Sequence, residues 1–162
     1  MPLSMTYLVS PVGGLTLFAD DSALVAIAFN EQLRGSGTDA IDDPAHPVLT
    51  QARAELGEYF AGTRKTFSIP LRARGTVFQR GVWDALAEIP WGETRSYGDI
   101  ARRIGNPKGV RAVGLANGRN PLPIVVPCHR VIGSDGSLTG YGGGLPIKVK
   151  LLALEGISTP GL

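Results

Sequence analysis

A single cysteine, Cys128, stands in the whole chain, at the end of the run Pro123-Ile124-Val125-Val126-Pro127 and directly before His129 and Arg130. One thiol can neither close an intramolecular disulfide nor build a structural metal site by itself, so the fold must be held by burial of apolar side chains. At 162 residues the chain is long enough for one sizeable core or for two small lobes. The thiol has two open uses, as buried filler or as nucleophile. Its neighbourhood favours the second. Ile124 to Val126 read as a short buried strand bracketed by two prolines, which ends the ladder just before the thiol. His129 and Arg130 then bring a base and a permanent positive charge of the kind that lowers a thiol pKa.

The uninterrupted apolar runs are far too short to span a bilayer, and the opening Met-Pro-Leu-Ser-Met-Thr-Tyr lacks the basic and apolar regions of a signal peptide. With one unpaired thiol, a reducing cytoplasmic setting away from membranes is expected. The charge is unevenly spread. Residues 1–70 hold four basic against eight acidic side chains, whereas the remaining 92 hold twelve against six. The half that carries the cysteine is therefore the half suited to a polyanion.

Met5–Val9, Leu15–Ala19 and Leu24–Phe29 read as three short strands of an antiparallel meander, with turn residues at 11–14 and 20–22. A polar loop is expected over 31–43. Pro47 then opens a helix whose apolar residues Leu49, Ala52, Leu56, Tyr59 and Phe60 recur at helical spacing, with Gly62 just past its end. His46 reads as a surface residue at the entrance of that helix, and Lys65–Leu71 as a further extended segment.

Arg72–Thr76 reads as a connector. Phe78, Val82, Leu86 and Ile89 then mark a helix capped by Thr76 and stopped by Pro90, with Trp83 on the same core. Ser96 caps a short helix bearing Tyr97, Ile100, Ala101 and Ile104. Gly105-Asn106-Pro107 breaks it, and a second helix is expected from Lys108 to about Asn117 with Val110 and Val113 buried. Two short helices joined in this way form a helix-turn-helix pattern. The small residues around Arg111 fit either groove binding or close helix packing, and the positive charge of this half favours DNA. Val131–Leu138 reads as a hairpin in the place of a wing, and 139–144 as a glycine-rich loop without phosphate-loop spacing. Pro146 opens a last helix that buries Leu151, Leu152 and Leu154. Glu155 at its C-terminal end opposes the helix dipole and calls for a compensating partner.

Pro127-Cys128-His129-Arg130, preceded by Asn120-Pro121 and Pro123-Ile124 and followed by Gly140-Tyr141-Gly142-Gly143-Gly144 and Leu154-Glu155-Gly156, resembles the O6-alkylguanine-DNA alkyltransferases of the bacterial type. The likeness extends upstream through Phe78-Gln79, Val82-Trp83, Ile89-Pro90-Trp91-Gly92-Glu93-Thr94, Ser96-Tyr97 and Asn106-Pro107 to Arg111-Ala112-Val113-Gly114. Ser10-Pro11-Val12-Gly13 and Tyr59-Phe60-Ala61-Gly62 carry a looser likeness in the first half.

The resemblance implies an α/β (α+β) chain: a ribonuclease H-like small-sheet lobe over 1–71, a connector over 72–76, and a winged helix-turn-helix alkyltransferase domain over 77–162. It implies DNA repair by direct damage reversal, with the alkyl group of O6-alkylguanine, and also of O4-alkylthymine, passing irreversibly to Cys128. His129 would take the thiol proton through a water, Glu155 would orient the imidazole, and Tyr97 would serve ring N3 of the leaving guanine. Tyr141 and Gly142 would lie near O6, carbonyls around Cys128 and Val131 would read the exocyclic amine, and Lys148 would line the pocket. Asn120 would tie the recognition helix to the site. The target base would be flipped out of double-stranded DNA bound by its minor groove, with Arg111 filling the gap. Ala112, Gly114 and Lys108 would meet the same groove. No cofactor is expected, the protein would act once and as a monomer, and no metal is expected, since one cysteine cannot supply the zinc set of the mammalian members. Gly140 and Gly142 depart from members with bulkier loop residues. A lesion sensor of the alkyltransferase-like type replaces the cysteine, so Cys128 argues against it. A plain winged-helix regulator or a thiol hydrolase leaves most of the ordered motifs unexplained.

Overall fold

The computed structural model describes residues 2–29, 39–138, 141 and 143–158, and these form two compact units, Met1–Ala73 and Arg74–Leu162. In the first unit, strands β1 (Ser4–Ser10), β2 (Gly13–Ala19), β3 (Leu24–Phe29) and β4 (Ile41–Asp42) form one sheet in the order β3-β2-β1-β4. The β1–β2 and β2–β3 pairs are antiparallel, as the alternating pattern predicts, with Tyr7 opposite Thr16 and Leu17 opposite Ile27. Gly13 turns the first hairpin at φ +100°, where a side chain would be strained. Asp20 Oδ1 accepts from the amides of Ser22 and Ala23 at 2.9 Å in the second turn, and Arg72 pairs with the same carboxylate.

Within the expected polar loop, residues 31–38 lie outside the described part, and Ile41–Asp42 correct the reading by joining β1 in parallel. Their side chains are exposed, so nothing in their hydropathy marks a strand. Backbone groups alone make the pairing, Ile41 N donating to Leu3 O at 2.8 Å and Asp43 N to Met5 O at 2.9 Å. Helix α1 (Pro47–Phe60) covers the sheet with Leu49, Ala52, Leu56 and Tyr59. His46 is its cap, the imidazole Nδ1 accepting from Val48 N at 3.1 Å, a role its sequence position did not announce. Over 65–71 the β-pairing is limited to an isolated bridge from Leu71 to Leu24, and Ser68 N donates to Glu55 Oε1 at 2.7 Å.

The second unit starts with helix α2 (Val77–Ala87), where Thr76 and Gln79 form a reciprocal capping box. A Cβ on Gly75 would meet the Trp83 ring at 2.5 Å, so only glycine fits before this cap. Ser96 and Asp99 form a second capping box at helix α3 (Tyr97–Arg103). After the turn at 104–109 comes helix α4 (Val110–Gly118), two residues later than expected because Lys108 lies in the turn. Val113, Ala116 and Asn117 form its buried side, whereas Val110 is 43% exposed and faces out. Trp83 Nε1 donates to Ala116 O at 2.8 Å, fixing α4 against α2.

The strand expected over Ile124–Val126 is instead a buried turn. Proline at both ends withholds the amides a ladder needs, and Ile124 stands at φ +77° while Val126 N closes the turn on Leu122 O at 2.9 Å. The hairpin expected over 131–138 is replaced by β6 (Val131–Ile132), paired in parallel with β5 (Arg95–Ser96), and then a turn in which Gly133 N donates to Ser137 O at 2.8 Å. Asp135, whose Oδ1 accepts from Ser137 N and Oγ, bends the chain before a second strand can form. Helix α5 (Leu145–Leu154) closes the unit, burying Leu151, Leu152 and Lys148 while Leu154 is half-exposed.

Candidate active site

Local backbone chemistry aims the thiol. Asn120 staples the turn ahead of it, its Nδ2 donating to Val126 O at 2.8 Å and its Oδ1 accepting from Leu122 N at 2.9 Å. Pro127, at φ −82° and ψ 65°, is the centre of an inverse γ-turn closed by Cys128 N on Val126 O at 2.8 Å. Cys128–Arg130 then form one turn of 3-10 helix. Leu122, Ile124 and Val126 are buried beneath it, so the cysteine is held by a packed loop.

Cys128, His129 and Glu155 are all buried. His129 Nε2 stands 2.7 Å from Glu155 Oε2. A carboxylate there takes the imidazole N–H, which leaves Nδ1 as the basic atom. Glu155 also accepts from Arg130 Nε at 2.7 Å, Arg130 Nη2 at 3.0 Å and Gly92 N at 3.3 Å. The partner that Glu155 needed at the end of α5 is thus Arg130, whose Nη1 donates to Ile89 O at 2.7 Å. This corrects the reading of Arg130 as an activator of the thiol, since its charge is spent on Glu155.

Burial pushes the Cys128 thiol above its ordinary value, and the Asn120 amide, the Tyr141 hydroxyl and the Lys148 ammonium work against that rise. The resting group is therefore a thiol that needs a base. Burial holds His129 below 6.5 although Glu155 pulls it upward, so the imidazole is neutral and can accept a proton. Lys148 has no exposed surface, its Nζ donates to Val131 O at 2.7 Å, and burial lowers it to about 8.

Residues 77–157 match the DNA binding domain of 6-O-methylguanine DNA methyltransferase, and residues 3–73 match the ribonuclease-like domain of the same protein family. The chain belongs to the 6-O-methylguanine DNA methyltransferase family. The methylated-DNA–protein-cysteine methyltransferase of Methanosarcina acetivorans is 50% identical over 91% of this chain and 94% of its own length. The enzyme of the same name from Mycolicibacterium paratuberculosis is 53% identical over 93% and 91%. The crystal structure of Mycobacterium tuberculosis OGT in complex with DNA superposes with a TM-score of 0.86 at 52% identity, covering 92% of this chain and 90% of that one.

Set in this methyltransferase family, the α/β fold with a ribonuclease-like lobe and a helical DNA-binding lobe is as the sequence implied. The structure brings Cys128, His129, Glu155, Asn120, Tyr141, Val131 and Lys148 into one cluster. Gly142 and Gly140 lie outside the described residues. Both carbonyls expected to read the guanine amine already have internal donors, Val131 N and Asn117 Nδ2 on Cys128 O and Lys148 Nζ on Val131 O. On α4, Arg111 and Ala112 are exposed, as is Lys108 before it. Gly114 faces inward, where a Cβ would come within 3.9 Å of the half-buried Tyr97 ring. That is an ordinary contact distance, so the α3–α4 packing leaves room for a Cβ at this position. Sequence reasoning missed Asn117, an amide on the buried side of α4 whose Nδ2 lies 3.4 Å from Cys128 O. Its polar type at a core position of a helix was the available signal. Among the described residues no group of three or more His, Cys, Asp or Glu is placed to hold a metal, and no helix is long and apolar enough to cross a membrane.

Proposed function

We propose that this chain repairs DNA by taking the alkyl group of O6-alkylguanine onto Cys128 in a single, irreversible turnover. The observation that carries the reading is the buried series of thiol, imidazole and carboxylate, with His129 Nε2 held by Glu155 and Nδ1 left as the base. The thiol proton passes through a water to Nδ1, sulfur attacks the alkyl carbon in line, and the carbon–O6 bond breaks with its electron pair going to guanine. Tyr97, at the first turn of α3, is the donor to ring N3, where that charge collects. The Tyr141 backbone and Gly142 serve O6, Val131 contributes its remaining lone pair to the amine, and Lys148 supports charge in the pocket. A thioether resists hydrolysis, so no second step restores the protein.

O6 faces the inside of a duplex, so the base must leave the stack at a cost of about a few kcal/mol. The exposed Arg111 fills the gap, and Ala112, Gly114 and Lys108 lie along the minor groove. O4-alkylthymine is a second substrate of the same pocket. The protein acts as a cytoplasmic monomer, with residues 1–71 as scaffold and 77–162 as the reacting domain. Intact mass after incubation with a duplex holding one O6-methylguanine tests this. A gain of one methylene, absent in Cys128→Ala and halting after one event, is expected. Tight binding without mass gain would make the protein a lesion sensor.

A further inference from the structure

The buried side-chain atoms without a hydrogen-bond partner among the described residues include Asn117 Oδ1, whose amide nitrogen lies 3.4 Å from the Cys128 carbonyl, and His129 Nδ1, on the residue that follows the thiol. Asn117 is 3% exposed, and its amide orientation is fixed because Cys128 O can only accept, so Nδ2 must face it and Oδ1 must face away. Nδ1 of His129 is likewise fixed as an acceptor, since Nε2 gives its proton to Glu155. An acceptor left unsatisfied in a core is costly, and native cores remove that cost with an ordered water where about two to four polar groups converge.

We propose that Asn117 is a positioning residue for the alkyl transfer, holding the water that carries the proton from Cys128 to His129. The inference rests on the alkyl-transfer reading above. The water accepts the S–H, gives one hydrogen to His129 Nδ1 and rests its other hydrogen on Asn117 Oδ1. When the thiol proton moves to the water, a water proton moves to Nδ1, and the freed sulfur pair forms the bond to the alkyl carbon as the carbon–O6 pair departs with guanine. Asn117 gains and loses no proton. It fixes the direction of the water and, with its carbonyl dipole, favours the positive charge that passes through it. The charged groups around His129 are Glu155, Arg130 and Lys148, and none of them supplies a neutral acceptor to this water.

The test is the single-turnover rate on a duplex containing O6-methylguanine, measured across pH for the unaltered chain, Asn117→Leu and Asn117→Ala, together with duplex affinity. Loss of a relay position is expected to slow both variants by about tenfold or more at neutral pH at unchanged affinity. The deficit should close at high pH, where the thiol ionises without the relay. Rates within twofold of the unaltered chain would overturn the proposal, and so would one constant factor at every pH, the mark of a packing defect. Should Asn117→Leu fail to fold, the smaller Asn117→Ala decides. An unaltered chain that gains no methylene would overturn the alkyl-transfer reading itself, an outcome distinct from either variant result.

Discussion

Arg130 closes on Glu155 with two nitrogens, Nε 2.7 Å from Oε1 and Nη2 3.0 Å from Oε2, in a pocket where neither side chain meets much solvent. The carboxylate that orients His129 is therefore itself oriented by a cation two residues from the nucleophile. Three charged or polar groups share one buried site, and each is unaffordable without the others.

Replacing Glu155 with glutamine keeps the shape and removes the charge. The stranded guanidinium should lower unfolding free energy by about 3 kcal/mol. Urea denaturation at neutral pH measures this, and the single-turnover rate should fall with it because His129 and Arg130 must share one neutral amide oxygen in place of a carboxylate. A loss under about 1 kcal/mol would mean that solvent reaches Arg130 in the folded chain.

The pH dependence follows from His129, whose proton affinity burial holds below 6.5. The neutral ring is the base, so the alkyl-transfer rate should be level down to 6.5 and fall only as pH drops through the lower folded value. Stability has the same sign. The unfolded chain binds the extra proton first, so this contribution is full above 6.5 and is lost as pH falls from there toward the folded pKa. Single-turnover rates and denaturation midpoints, taken over the same pH series, check both halves.

Lys148 carries a different sign. Its lowering from 10.5 to about 8 reflects the cost of burying the ammonium. Lys148→Met should therefore raise unfolding free energy at neutral pH by about 1–2 kcal/mol, after the loss of the bond to Val131 O is subtracted. The unfolded chain keeps its lysine proton between about 8 and 10.5 while the folded one releases it, so the unaltered protein gains stability over that window and the difference should shrink. Alkyl transfer should slow in the variant, because a charge that favours the thiolate is gone.

Asn120→Ala removes both bonds that staple the turn before the thiol. The turn contains Ile124 at φ +77°, a backbone state that costs a branched residue about 1–3 kcal/mol and persists only when its surroundings impose it. We expect a stability loss of about 2–3 kcal/mol, read by thermal or urea unfolding, with a slower reaction at unchanged duplex affinity.

Much of this was legible in the sequence where a local rule acts alone. Thr76 and Ser96 announce their helices because capping depends on residues within one turn. Glu155 at a helix end announces its need for a cation, though not which cation. What escaped reading was set by partners distant in sequence. The apolar run Ile124–Val126 looks like a strand because burial gives the same composition to a packed turn, and only the missing proline amides tell them apart. Ile41–Asp42 joins the sheet by backbone bonds that leave no trace in its side chains. Val110 is the first residue of α4 and stays 43% exposed although it stands at helical spacing from the buried Val113, so spacing alone does not decide burial at a helix end.

The bond from the Trp83 indole to Ala116 O ties the middle of α2 to the last turn of α4. The chain has only two tryptophans, and this one is 4% exposed with its nitrogen committed to the helix that also carries Asn117 and Arg111. A protein that reacts once must afterwards be told apart from its unreacted copies. A displacement of α4 by a group added to Cys128 would loosen that bond and change the polarity around the ring, and intrinsic fluorescence before and after reaction is the measurement that would register it.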